Sequence, residues 1–158
     1  MPQITFPLLL LWIALCAWQD LRQQRIDNRL TYPALLLVLG WLLIQQQGFT
    51  GQSLAAALSG LVLALAFALP GQIKGVFGGG DVKLLLTIGI ATDGLYILWV
   101  ITFSALGIVL WLFLRSRLSE LQRQRLQCLA PGLASEPGPL AYAPFVLLAS
   151  LATCLMRL

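Results

Sequence analysis

The sequence predicts an all-α, polytopic membrane protein with about six transmembrane helices. Of its 158 residues, 59% are hydrophobic and only 10% are charged, whereas about a quarter of the residues of a soluble domain are charged. The apolar residues also form long runs, and a helix needs about 20 such residues to cross a bilayer core. We therefore expect a lipid bilayer around the chain and a single membrane-embedded domain over residues 1–158.

Six apolar segments account for the predicted helices: 4–19, 31–44, 53–70, 82–93, 95–114 and 140–156. The second and fourth segments are short for a full span, so we expect them to extend into their polar flanks. Thr92, Asp93 and Gly94 predict a break between the fourth and fifth segments, because Asp and Gly favour turns. The alternative is one helix over 82–114, which gives five spans but is too long for a single crossing.

The basic residues predict the orientation of these helices. Nine of them lie in the loops after the first, third and fifth segments, namely Arg22, Arg25, Arg29, Lys74, Lys83, Arg115, Arg117, Arg123 and Arg125. Only Arg157 lies on the other side. The positive-inside rule makes the basic side cytoplasmic and places both termini outside. This asymmetry explains the net charge of +4, and no nucleic acid partner is needed to account for it.

Acidic residues are the main candidates for chemistry. The chain has no histidine, which excludes a Ser-His-Asp triad and a histidine-based zinc site. Its three cysteines lack CxxC spacing, so no metal site is predicted. Glu120, Glu136 and Asp93 lie in a polar loop or on the outer side, which leaves Asp20, Asp27 and Asp81 at the cytoplasmic boundary. Each of these three is as readily a helix cap or a surface charge as a functional group.

Two of these acids have distinctive surroundings. Asp81 follows Phe-Gly-Gly-Gly at 77–80 and opens an apolar helix, where the helix N-terminus favours a negative charge. Asp20 closes the first apolar helix, so we expect it to hold a proton more readily than Asp81. Two adjoining carboxyls share a proton because both cannot ionise cheaply. Such a pair can activate water and protonate a leaving amine.

Three motifs resemble those of one enzyme family. Residues 78–84, Gly-Gly-Gly-Asp-Val-Lys-Leu, fit the GxGDxK(L) motif of prepilin and preflagellin peptidases. Residues 20–28 are similar to the first-aspartate region of that family. Residues 141–145, Ala-Tyr-Ala-Pro-Phe, resemble the element that opens its last helix. The motifs occur in the family's order over nearly the whole chain.

The resemblance implies an intramembrane aspartyl endopeptidase that removes the short basic leader of type IV-like prepilins. It implies no cofactor, a site at the cytoplasmic face of the bacterial inner membrane, and Asp20 and Asp81 as the catalytic pair. Gly78 and Gly80 would shape the loop beneath Asp81. Lys83 would lie close to Asp81, on the helix surface or against a substrate carbonyl.

The sequence departs from the family pattern in its first loop. This loop, 20–30, is short and has no cysteine, so we expect no N-methyltransferase domain, as in the peptidases of tight-adherence (Flp) pilus systems. Ile26-Asp27-Asn28 replaces the frequent Ile-Pro-Asn. We interpret Asp27 as a helix cap or a leader-binding charge, in a segment where Asn28 also binds substrate or shapes the loop. A third catalytic acid at Asp27 stays open.

Other features leave alternatives open. Small residues at 56, 60, 64 and 68 predict close helix packing, although ordinary apolar filler explains them equally well. The basic segment 115–129 is amphipathic and suited to a membrane surface. A small proton- or cation-coupled transporter subunit could use the same aspartates, but both acids lie at one membrane edge and no inverted repeat is evident. An inactive assembly factor on the same fold is a further alternative, and no oligomeric state is predicted.

Overall fold

The computed structural model describes residues 2–75, 77–117 and 141–157, and within these ranges the chain is all-helical. Six helices occur there: α1 Pro2–Gln23, α2 Asn28–Gln45, α3 Leu54–Ile73, α4 Gly79–Ala91, α5 Gly94–Ser116 and α6 Ala143–Arg157. The predicted helical class is confirmed. Most of the predicted amphipathic segment 115–129 lies outside the described residues, as do Glu120, Glu136 and Cys128.

Among the helices of the described residues, α3 and α5 are the two that are long and apolar enough to cross a bilayer. The last helix contains a shorter apolar stretch, Ala143–Met156. Large apolar side chains on α3 and α5 face outward, and Val62, Leu106 and Val109 are each more than 60% exposed. Water-soluble monomers rarely expose contiguous apolar surface of this kind. The outer surface is therefore suited to contact with lipid.

Two aspartates mark helix starts. α4 ends at Ala91 and α5 begins at Gly94, so the single helix over 82–114 that the five-span alternative assumed is wrong. Asp93 caps α5 by accepting a hydrogen bond from the backbone N–H of Tyr96 at 2.6 Å, as N-cap residues do. Asp27 caps α2 in the same way, and its interpretation as a helix cap is confirmed.

The central element is α4, which has 13 residues, eight of them buried. It packs against α2, α3 and α5 and also contacts α1, while α6 packs between α1 and α5. The predicted extension of the fourth segment is small, since α4 begins at Gly79. Because α4 is enclosed by its neighbours, the position of its N-terminus is determined by several helices at once.

The crossing of α3 and α4 depends on two glycines. A Cβ added to Gly89 would lie 2.5 Å from the carbonyl oxygen of Gly60 and 3.0 Å from Cβ of Ala64. The buried face of α3 consists of Ala57, Gly60, Ala64 and Ala68. The predicted small-residue stripe is confirmed except at its first position, where Ala57 replaces Ala56 because a helical face follows a period of 3.6 residues and not 4. Close backbone packing of this kind suits helices in lipid.

We expect Gly89→Ala to lower the free energy of unfolding by about 2 kcal/mol, because the new methyl group must push the α3 backbone away. Gly40→Ala in α2 is the matched control, since a Cβ there meets nothing within 4 Å and alanine favours the helix. Thermal unfolding in detergent measures both. Equal unfolding midpoints for the two variants would contradict the close α3–α4 contact.

Candidate active site

A polar cavity of about 560 Å³ lies where the α1–α2 loop meets the α3–α4 loop. Six of the seven residues that the sequence singled out line it: Asp20, Asn28, Gly78, Gly80, Asp81 and Lys83. The seventh, Asp27, lies beside a separate cavity of about 320 Å³. The structure therefore places the carboxyls of Asp20 and Asp81 at the same cavity, and Asp27 does not line that cavity.

Asp20 lies in the last turn of α1 and is only 5% exposed. Its Oδ2 accepts a hydrogen bond from the backbone N–H of Ala143, the first residue of α6, at 3.0 Å. The backbone amide of Tyr142 also interacts with this carboxyl. The N-terminus of a helix favours an anion. The prediction that Asp20 keeps a proton more readily than Asp81 took account only of its position at the C-terminus of α1. The N-terminus of α6 acts in the opposite direction, because it favours the charged carboxylate.

Asp81 is the third residue of α4. Its Oδ2 accepts a hydrogen bond from the backbone N–H of Gly78 at 3.0 Å. This is one half of a capping box, since Gly78 has no side chain to complete the other half. Within the described part of the chain, Oδ1 of Asp81 makes no hydrogen bond. That oxygen is left for a water molecule or a substrate group in the cavity.

The three glycines before Asp81 differ in their surroundings. A Cβ on Gly80 would lie 2.9 Å from Cβ of Ile26 and 3.2 Å from its carbonyl oxygen. A Cβ on Gly78 would lie 3.3 Å from Oδ2 of Asp81, and one on Gly79 would meet nothing within 4 Å. Gly80 therefore allows the α1–α2 loop to approach α4, whereas Gly79 faces open space. This difference is consistent with a motif that specifies glycine at 78 and 80 only.

Lys83 is held by neutral partners. Its Nζ donates to Oδ1 of Asn28 at 2.5 Å and stands 3.9 Å from the ring centroid of Tyr32, a distance typical of a cation–π contact. Among the described residues, it forms no ion pair with Asp20 or Asp81. Lys83 thus joins the starts of α4 and α2 while still lining the cavity.

Asp27 is fixed as a structural residue of the α1–α2 loop. Its side chain accepts from the backbone N–H of Arg29 at 3.0 Å, and its own backbone N–H donates to Oε1 of Gln19 at 3.1 Å. Because α1 ends at Gln23, Asp27 does not share a helical face with Asp20. It is exposed and outside the cavity that Asp20 and Asp81 line.

Sequence reasoning missed an aromatic contact behind the two loops. The rings of Phe77 and Tyr142 lie 4.8 Å apart between centroids, with 49° between their planes. The hydroxyl of Tyr142 lies 3.0 Å from Oγ of Ser104 on α5. Since Ser104 donates its own proton to the carbonyl of Ile101, Tyr142 is the donor of this bond.

The described part of the chain is all-helical, and two of its carboxyls line one polar cavity. Because the sequence has no histidine, these carboxyls are the groups available there for acid–base chemistry. A sequence profile then identifies the family: it matches residues 7–114, more than half of the chain, and the protein belongs to the type IV leader peptidase family. No curated protein and no solved structure matches the chain. Membership implies a membrane-embedded peptidase with a prepilin substrate. The matched range includes Asp20 and Asp81 and ends before α6.

We expect Gly80→Ala to reduce leader removal by about 10-fold or more, because displacing the start of α4 misplaces Asp81. Gly79→Ala is the matched control one position earlier on the same helix, where a Cβ has free space, and it should cleave like wild type. The fraction of a coexpressed prepilin that is processed measures both. Equal loss in the two variants would contradict the close approach of Gly80 to Ile26.

The contact between Lys83 and Asn28 is testable by a double-mutant cycle. Lys83→Met and Asn28→Ala should each lower the free energy of unfolding by about 1 kcal/mol, and the double variant should lose less than their sum. Lys74→Met combined with Asn28→Ala is the control, because Lys74 is exposed in the α3–α4 loop. If denaturation experiments show that the losses in free energy of unfolding from Lys83→Met and Asn28→Ala add up fully in the double variant, the bond contributes nothing to stability.

Proposed function

We propose that this protein is an intramembrane aspartyl endopeptidase that removes the basic leader of prepilins, with Asp20 and Asp81 as the catalytic pair. The observation that carries the proposal is that both carboxyls line one cavity, each held by a backbone amide next to a helix N-terminus. The family match supplies the peptidase activity. The carboxyl pair supplies the groups that such a reaction needs in a chain without histidine.

The two carboxyls act as a pair that shares one proton. Two carboxylates that line one cavity repel each other when both are charged, so the pair favours keeping one proton. The ionised carboxyl removes a proton from water as the water attacks the scissile carbonyl, and the protonated carboxyl donates to the leaving amine. The proton belongs to the pair and not to either residue. The backbone amides of Ala143 and Gly78 orient the two groups for this exchange.

The cavity faces the cytoplasm in the proposed arrangement. Arg25 and Lys83 line it, and Lys74 lies in the adjoining α3–α4 loop. Basic residues mark the cytoplasmic side of a membrane protein. Six spans with both termini outside then place the two aspartates at the cytoplasmic edge of the bacterial inner membrane. A prepilin leader, which stays in the cytoplasm, reaches the site from that side.

The short α1–α2 connection supports a peptidase without a methyltransferase domain. Only residues 24–27 separate α1 from α2, which leaves no room for an inserted domain at this place. This form resembles the peptidases of tight-adherence pilus systems, so a Flp-type prepilin is the proposed substrate. The transporter alternative gains no support from the family match.

Coexpression with a Flp-type prepilin whose leader ends in Gly tests the proposal. Wild type should remove the leader, while Asp20→Asn and Asp81→Asn should each reduce cleavage by at least about 100-fold, because the amide cannot exchange the required proton. Intact-mass measurement of the pilin gives the result.

Two matched controls replace other acids by asparagine. Asp93→Asn and Asp27→Asn alter helix caps away from the catalytic cavity, and asparagine also serves as an N-cap. Both should cleave at near the wild-type level. Full cleavage by Asp20→Asn or Asp81→Asn would refute the pair, and loss of cleavage in Asp27→Asn would make Asp27 part of the site. Proton flux without cleavage in reconstituted vesicles would favour a transporter.

A further inference from the structure

The amides that hold the two aspartates each follow an aromatic residue. Phe77 precedes Gly78, whose N–H donates to Asp81. Tyr142 precedes Ala143, whose N–H donates to Asp20. The rings of Phe77 and Tyr142 contact each other, with their centroids 4.8 Å apart. The two segments that supply the amide donors are therefore joined by aromatic rings one residue away from each donor.

Both rings of this aromatic bridge, Phe77 and Tyr142, are also anchored to the helix frame. The ring of Phe77 lies so close to Gly71 on α3 that a Cβ there would overlap it, and the Phe77 backbone N–H donates to the Gly71 carbonyl at 3.2 Å. Tyr142 is 6% exposed, and its hydroxyl donates to Ser104 on α5. The bridge thus connects the segments that supply these amides to α3 and α5, which among the described helices are the two long and apolar enough to cross a membrane.

We infer that the aromatic bridge sets the separation of Asp20 and Asp81, with Tyr142 as the positioning residue. This inference rests on the proposed function and adds to it the group that controls the geometry of the pair. Tyr142 is not among the residues that line the cavity, although Phe77 is. A change at Tyr142 therefore acts through the carboxyls and leaves the surface that binds substrate intact.

Kinetics of purified variants test the positioning role. Tyr142→Leu removes the ring, and we expect kcat for prepilin cleavage to fall by about 100-fold, since a shift of about 1 Å at a reacting group has effects of this size. KM should change by less than about twofold. Tyr142→Phe keeps the ring contact and should restore most of the activity that Tyr142→Leu loses.

Tyr96→Phe is the matched control. Tyr96 is 1% exposed, and its hydroxyl donates to the Ser150 carbonyl at 3.0 Å, so it also ties α5 to α6. Tyr96→Phe should lower the thermal unfolding midpoint about as much as Tyr142→Phe but keep the wild-type kcat. The inference is overturned if folded Tyr142→Leu keeps wild-type kcat, if its whole defect is in KM, or if Tyr96→Phe lowers kcat as strongly.

Hydrogen exchange provides a measurement that needs no substrate. In wild type, the amides of Gly78 and Ala143 should be protected by their bonds to the carboxyls. Tyr142→Leu should raise the exchange rate at Gly78 on the opposite loop by about 10-fold or more, and Tyr96→Phe should not. Unchanged exchange at Gly78 would refute the bridge even if prepilin is cleaved. If the wild type cleaves no prepilin, faster exchange at Gly78 in Tyr142→Leu would refute the proposed function and leave the coupling of the two segments standing.

Discussion

The site depends most on the buried hydrogen bond from the backbone N–H of Ala143 to the carboxyl of Asp20. This bond joins the last turn of the first helix to the first residue of the last one. A buried carboxylate without a donor is strongly destabilising, so the start of α6 is required for Asp20 to lie where it does. The donor is a backbone group, and what the sequence must supply is a helix that begins at that residue. Pro144 in the first turn suits such a start, because its missing N–H costs no helical hydrogen bond.

Asp81 is placed by close backbone contacts of a short helix. α4 meets the α1–α2 loop at Gly80 and crosses α3 at Gly89. In lipid, the hydrophobic effect contributes little to the association of helices. Close packing at small residues therefore contributes more to their relative positions. Two glycines near opposite ends of 13 residues leave α4 little freedom to shift along its axis. The first aspartate is therefore fixed by a hydrogen bond from α6, and the second by the packing of the helix that carries it.

Local signals predicted the helices well and the contacts between them poorly. Asp27 was recognisable as a cap and Asp93 as part of a break between helices, because both features depend on residues two or three positions away. The difference between Gly79 and Gly80 was invisible in a run of three glycines, since it depends on Ile26 in another loop. The role of Ser104 gave no signal either, because a serine in an apolar helix commonly bonds its own backbone. Residues 20, 81 and 142 were each noticed in a motif, but no rule of spacing indicated that Tyr142 links the other two.

In the proposed mechanism, the placement of Lys83 leaves the acid pair able to share a proton. Lys83 is two residues from Asp81 and lines the same cavity. An ammonium group paired with Asp81 would hold that carboxyl in its charged form, and a fixed charge cannot exchange a proton with its partner. Asn28 and Tyr32 instead bind the ammonium through an amide oxygen and a ring face, both neutral. The positive charge is therefore held by neutral partners, and the hydrogen bonds to Asp20 and Asp81 come from backbone amides.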